Sequence, residues 1–293
     1  GNTEVTKKVY LNTGSRPYFL KTVHTSAGSQ IDLEYKTSAQ HFKEDGTQAN
    51  PNLPIIVDTV SKITTHDGMG NSSSISYLYE DGHYYFKDSY DKSYAGFRVV
   101  TKTDGLGYKT KTYYHQSENS IQDPANGEYN DHISKKGRSY RTEVYDNQNN
   151  LIQLSINKWD KTVLGQERFH PFLTQSLTRL LSGTAKSTAQ SFQYDSYGNV
   201  IQSVDYGEVQ ASGNDGSFTD IGSDLIKTTR SYVQNTVDYI VSLPFESKLF
   251  NQSNNLLTHQ RLYYDDMPLG EVSVGNLTKQ ESWLDTNNSW ITS

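Results

Sequence analysis

Eight histidines, at positions 24, 41, 66, 83, 115, 132, 170 and 259, are the first side chains in this sequence that could do chemistry. An imidazole can bind a metal or move a proton near neutral pH. No two lie within five residues of each other, and no HExxH pair sets two on one helix face. A catalytic zinc needs three converging ligands, and this spacing supplies none locally. Serine chemistry finds no GxSxG elbow. The carboxylate pairs Asp265–Asp266 and Glu44–Asp45 are adjacent. Adjacent residues on a strand point apart, which is poor geometry for a shared acid–base site. DNQNN and NDGSFTD lack the full ligand set of a calcium loop, and DGMG and DGLG do not match GxGxxG. The sequence names no catalytic residue, no metal ligand and no cofactor.

Aromatic rings offer the other kind of site. Tyr84, Tyr85, Tyr113, Tyr114, Trp159, Tyr263 and Tyr264 can serve as stacking platforms. Pairs of this kind also stabilise sheets by themselves. Trp159, Tyr263 and Tyr264 are the ligand-stacking candidates, and a cell-surface adhesion or carbohydrate-binding β module is the alternative function they support.

The elements that would position these residues are strands. TEVTKKVYL (3–11) alternates, with Val5, Lys7 and Val9 on one parity. SISYLYEDGHYYF (74–86) sets Asp81–Gly82 between two aromatic arms, and Asp-Gly is a two-residue hairpin signal. The same design recurs in 97–115 around Asp104–Gly105, in 140–159 around Asp146 to Asn150, and in 193–207 around Asp195 to Asn199 with Gly198. A looser version in 261–275 places Pro268 and Gly270 in the turn. Asp67, Asp104, Asp146 and Asp195 are 37, 42 and 49 residues apart. That is a degenerate repeat, compatible with a sheet built hairpin after hairpin. The polar stretch 41–55 reads as an excursion from the sheet, and 209–224 as an exposed loop. Segment 171–183 is ambiguous: Leu173, Leu177, Leu180 and Leu181 have helical spacing, while Leu173, Leu177 and Leu181 also share one strand parity. Periodicity alone favours the helix.

Composition fits thin, half-wet strands. Only 33% of the 293 residues are hydrophobic, but 22 are tyrosine, whose apolar body and polar tip suit such faces. A net charge of −6 without a lysine-rich stripe argues against a nucleic-acid groove. The absence of cysteine rules out a disulfide framework. No run approaches the roughly 18 apolar residues of a membrane helix. The chain opens GNTEV, without an initiator Met, and reads as a piece of something larger.

Taken in order, the hairpins resemble a known family. ITTHDGMG through TYYHQ (63–116), with Asp67–Gly68 and then Gly96–Phe97 as a GF motif, is similar to the paired strands of the middle region of the insecticidal toxin complex B component. The related SpvB-like and Rhs/YD-repeat proteins share these features. Segments 137–159, 193–207, 230–250 and 262–281 resemble the units that follow, and residues 1–58 carry less of the likeness.

The resemblance implies an all-β fold of consecutive antiparallel hairpins, forming an extended, curved Rhs/YD-like sheet that is part of a hollow β-shell. It divides the chain into an N-terminal β segment, 1–58, and a middle-region sheet, 59–293. It turns 171–183 from helix to strand. It gives Asp67, Gly68, Asp81, Gly82, Gly96, Phe97, Asp104, Gly105, Asp195, Gly198 and Asn199 structural roles in turns. It implies a non-catalytic wall segment of a secreted or cell-surface toxin shell. The partners would be the remainder of the shell, an enclosed toxic polypeptide and a pore-forming A component, with no nucleic acid and no membrane span.

Overall fold

The computed structural model describes residues 18–117, 123–165, 168–284 and 289–293. The alternation expected in 3–11 lies outside them. Among the described residues, seventeen strands follow one another in a large curved sheet. They are β1 Thr22–His24, β2 Gln30–Thr37, β3 Asp58–His66, β4 Ser72–Phe86, β5 Lys92–Thr103 and β6 Lys109–Tyr114. Then come β7 Ser139–Tyr145, β8 Leu151–Gly165, β9 Arg168–Leu180, β10 Lys186–Tyr194, β11 Val200–Gln210 and β12 Thr219–Asp220. The series ends with β13 Ile226–Tyr232, β14 Pro244–Asn251, β15 Leu256–Tyr264, β16 Leu277–Leu284 and β17 Ser289–Thr292. Each strand pairs antiparallel with the next, except that β11 pairs with both the two-residue β12 and β13. Among the described residues, helical structure is confined to three-residue 3-10 turns at Ser38–Gln40, Pro124–Asn126 and Ile133–Lys135.

Segment 171–183 is mostly strand. β9 runs through Pro171 to Leu180 and pairs with β8 and β10. Its leucines at helical spacing are a coincidence of composition, and ladders on both sides override local periodicity.

Four hairpin tips share one design. Asp67, Asp104, Asp146 and Asp195 each open a five-residue loop in which the backbone N–H of the aspartate donates to the carbonyl four residues on. Oδ1 accepts from the N–H groups two and four residues on, at 2.7–3.0 Å. The fourth position takes positive φ: Gly70 (99°), Gly107 (89°), Asn149 (65°) and Gly198 (89°). The expectation that a two-residue Asp-Gly turn forms at Asp104–Gly105 is therefore corrected. Gly105 does not take the left-handed conformation there; Gly107 does.

Gly198 is the position where this freedom is required. A Cβ there would lie 2.9 Å from Cε1 of His170 at a φ of 89°. Gly198→Val should cost about 1–2 kcal/mol from the left-handed backbone alone, with displacement of His170 adding to it. Urea denaturation measures this, and an unchanged midpoint would refute it.

Asp81–Gly82 is not a hairpin. β4 continues straight through it as one 15-residue strand. Asp81 takes a φ of 52°, and the register with β5 shifts between Gly82 and Tyr84. The bulge is held by the 41–55 excursion, which folds onto the sheet. Asp81 N donates to Ala49 O at 2.9 Å, and Gly82 N donates to Oδ1 of Asn50 at 2.8 Å. With its backbone satisfied by this loop, the strand has no need to turn.

The uneven spacing of the aspartates also has a cause. Asp67, Asp104 and Asp146 follow β3, β5 and β7, two strands apart, so strand alternation puts them on one rim of the sheet. Asp195 follows β10, three strands after Asp146, and lies on the opposite rim.

Sidedness is weak over much of the sheet. Every residue of β6, β13 and β14 is half-buried. One exception is a row of directly opposed residues crossing four strands: Arg141, Ile156, Leu177 and Ala189, all buried. Two long loops cover this face, and the polar chemistry lies beneath them.

Candidate functional site: a buried polar cluster

The residues singled out from sequence do not converge. Trp159 and Tyr263 stand on β8 and β15, six strand spacings apart along the sheet. Trp159 donates from Nε1 to Ser139 O at 2.9 Å, and the Arg138 guanidinium lies 5.2 Å from its ring centre. Tyr263 donates to Glu281 at 2.8 Å beneath Lys279, whose Nζ is 3.9 Å from the ring centre. Tyr264 is buried against Val233 and Val272, so it offers no face to a ligand. Phe97 packs in an aromatic group with Tyr79 and Tyr94. Gly96 takes a φ of 86° and accepts at its carbonyl from Nε2 of Gln116.

That bond leads to the cluster. Residues 115–138 connect β6 to β7, and the stem closes with His115 N donating to Arg138 O and Gly137 N to His115 O, both at 2.9 Å. Gln116 sends Nε2 to Asp81 O and Gly96 O, both at 2.9 Å. The bulge in β4 and the left-handed glycine in β5 therefore aim two carbonyls at one amide of the connection. His115, Gln116, Glu128, Asp131 and Lys135 are each at most 1% exposed. Asp131 accepts from Ser117 N at 3.1 Å and Gln116 N at 3.3 Å. Both oxygens of Glu128 accept from Nη1 of Arg98, at 3.0 and 2.8 Å. Burial drives the Glu128 carboxyl up to about 7; Arg98 opposes this and Asp131 adds to it. Burial likewise pushes the Tyr140 phenol up to about 12 and the Lys135 ammonium down. Lys135 places Nζ 3.1 Å from Tyr129 O.

A second charged group adjoins it on β7. Oε1 of Glu143 accepts from Nε and Nη2 of Arg141, at 2.8 and 2.6 Å. Oε2 accepts from the hydroxyls of Tyr113 and Tyr145, at 2.8 and 2.9 Å. Nη1 of Arg141 turns the other way, to the carbonyls of Asn126 and Asn214. One guanidinium thus joins the sheet to both covering loops. Tyr129 OH bonds Asp215 O at 2.7 Å between the loops, and Arg179 bonds Gly213 O at 2.7 Å from below.

This is bracing geometry. Acid–base catalysis needs a group within hydrogen-bond reach of a substrate, and these side chains are sealed under their own chain. The sequence carried one signal for the cluster, the 115–138 connection itself. It is far longer than a meander turn and rich in Asp, Glu, His and Lys. Local spacing could not reveal which of its residues meet Arg98.

Residues 2–123 match the family model described as the insecticide toxin TcdB middle/N-terminal region. Residues 2–123 are thus similar to that family region. The match takes in residues 2–58, where the motifs were thinner, as well as the GF motif at Gly96–Phe97. In fold, the sheet is similar to the crystal structure described as TcdB2-TccC3, with a TM-score of 0.65, 14% identity and 91% of this chain covered. It is equally similar to TcdB2-TccC3-TEV, with a TM-score of 0.66, 14% identity and 92% covered. At that identity the likeness is one of fold alone. The chain spans 18% of the length of each of these structures. A search of curated proteins found no match.

Proposed function

We propose that this chain is a stretch of wall in a toxin-complex shell, without catalysis of its own, and that the shell encloses a toxic polypeptide. The carrying observation is the match of residues 2–123 to the TcdB middle/N-terminal region, continued by a sheet of like fold over most of the chain. A wall facing solvent on one side and a large cavity on the other needs continuous backbone hydrogen bonding and tolerates two wet faces. The half-buried strands and a mean hydropathy of −0.74 suit that environment. In this reading the partners are the remaining shell segments, the enclosed polypeptide and a pore-forming A component, and the assembly is secreted or displayed at a cell surface. No helix among the described residues is long and apolar enough to cross a membrane.

A wall segment parted from its neighbours exposes sheet edges that pair with other chains. The chain expressed alone should self-associate in size-exclusion chromatography with light scattering. A clean monomer over a wide concentration range would count against the wall. The enclosing role is tested in the assembled shell that carries this chain, where the polypeptide inside should resist protease until denaturant opens the wall. Digestion at the rate of the free polypeptide would overturn it.

A further inference from the structure

One atom in the buried cluster is left unsatisfied by the packing. His115 is 1% exposed and its Nδ1 makes no hydrogen bond. It lies 3.3 Å from Oδ1 of Asp131, within reach but out of line. If Nδ1 carries a lone pair, it faces a carboxylate oxygen and is repelled. If it carries a proton, a buried donor is lost. A cation between the two atoms removes both problems. One ligand atom from each of His115, Glu128 and Asp131 lies within 4.8 Å of the other two. Zinc–ligand bonds of about 2.0–2.2 Å put neighbouring ligand atoms roughly 3–3.5 Å apart. The His115–Asp131 separation already fits one edge of such a polyhedron, and a modest contraction brings in the third ligand.

We propose that His115, Glu128 and Asp131 form a structural site for a first-row divalent cation, zinc by preference, which pins the 115–138 connection to the sheet. The donor set selects the metal. Imidazole with two carboxylates suits zinc. Three protein ligands leave a tetrahedral zinc one position for a single water, whereas calcium takes six to eight oxygens and magnesium retains several waters, more than a sealed, crowded site supplies. Arg98 does not block the site. Its Nη1 contacts both Glu128 oxygens, and one contact suffices to orient the carboxylate while the other oxygen turns to the ion. Because the ligands are sealed, the ion enters as the connection folds, and binding is coupled to folding.

The test is to refold the chain with zinc chloride, remove loosely held metal on a chelating column and count metal by mass spectrometry. About one zinc per chain and a raised melting temperature are expected. His115→Ala should lose both, while His259→Ala, which removes the histidine paired with Glu246, should keep both. No retained zinc, or zinc retained equally by His115→Ala, overturns the site. If His115→Ala does not fold, two further measurements decide. Cobalt bound to the unaltered chain should give the intense visible bands of a four-coordinate ion, and the pale spectrum of hydrated cobalt overturns the proposal. Arg98→Gln removes the competing cation and should melt later on addition of zinc by a larger margin than the unaltered chain. A structural ion pair predicts no such gain.

Discussion

Glu143→Ala destabilises the chain by about 3–5 kcal/mol, the usual cost of removing one partner from a buried ion pair. Glu143 and Arg141 are both buried, and all four bonds to the carboxylate come from within the sheet. Truncation strands a buried guanidinium and leaves two half-buried phenols without their acceptor. The arginine also holds Asn126 and Asn214, so the loss extends to both covering loops. The effect depends on pH in a defined direction. Burial raises the Glu143 carboxyl, but the bonds from Arg141, Tyr113 and Tyr145 outweigh it, and the net position is below the ordinary value of 4.5. A carboxyl held low in the folded state contributes its full stabilisation above about pH 4.5 and loses it as the pH falls through the folded value. Glu143→Gln should therefore differ most from the unaltered chain at neutral pH and converge with it in acid. Urea midpoints between pH 3 and 8 read this out. A gap that widens toward acid would show that the carboxylate is not what braces the pair.

The fold was largely readable from the chain because its signals are local. Alternation and Asp/Asn/Gly turns at 104–108, 146–150 and 195–199 each need only a few neighbouring residues to specify them. Two local readings, the hairpin at Asp81–Gly82 and the helical periodicity that the family resemblance turns to strand at 171–183, gave way where other segments decide the outcome. At Asp81–Gly82, Ala49 and Asn50 satisfy the backbone and keep the strand straight. At 171–180, ladders on both sides hold as strand what leucine spacing alone would coil. The buried cluster was hidden for the same reason. Arg98 on β5 and Glu128 and His115 in the 115–138 connection come from two stretches, and only the docking of that connection on the sheet brings them together. Gly96 shows the opposite case. Its motif was visible, but its purpose, presenting a carbonyl to Gln116, requires the fold.

Ile156→Ala costs about 2–5 kcal/mol, the range for emptying a buried aliphatic site that cannot collapse. Ile156 is 0% exposed and lies directly between Arg141 and Leu177 in the buried row. Its Cγ2 also meets both covering loops: a Cβ on Gly127 would lie 2.8 Å from it, and one on Gly216 2.9 Å. Both loops reach it because these positions are glycine in left-handed backbone, with φ of 91° and 79°. A sheet with little one-sided burial has few other places to store stability, so one methyl-rich side chain under two loops carries unusual weight. The expected signature is paired: hydrogen exchange in 123–137 and 211–218 should accelerate together, while the ladder of β14 and β15 keeps its protection. Val163→Ala, at a residue 63% exposed on the β8 tip, should stay within about 0.5 kcal/mol. If only one loop loses protection, Ile156 is a local contact of that loop and does not couple the two.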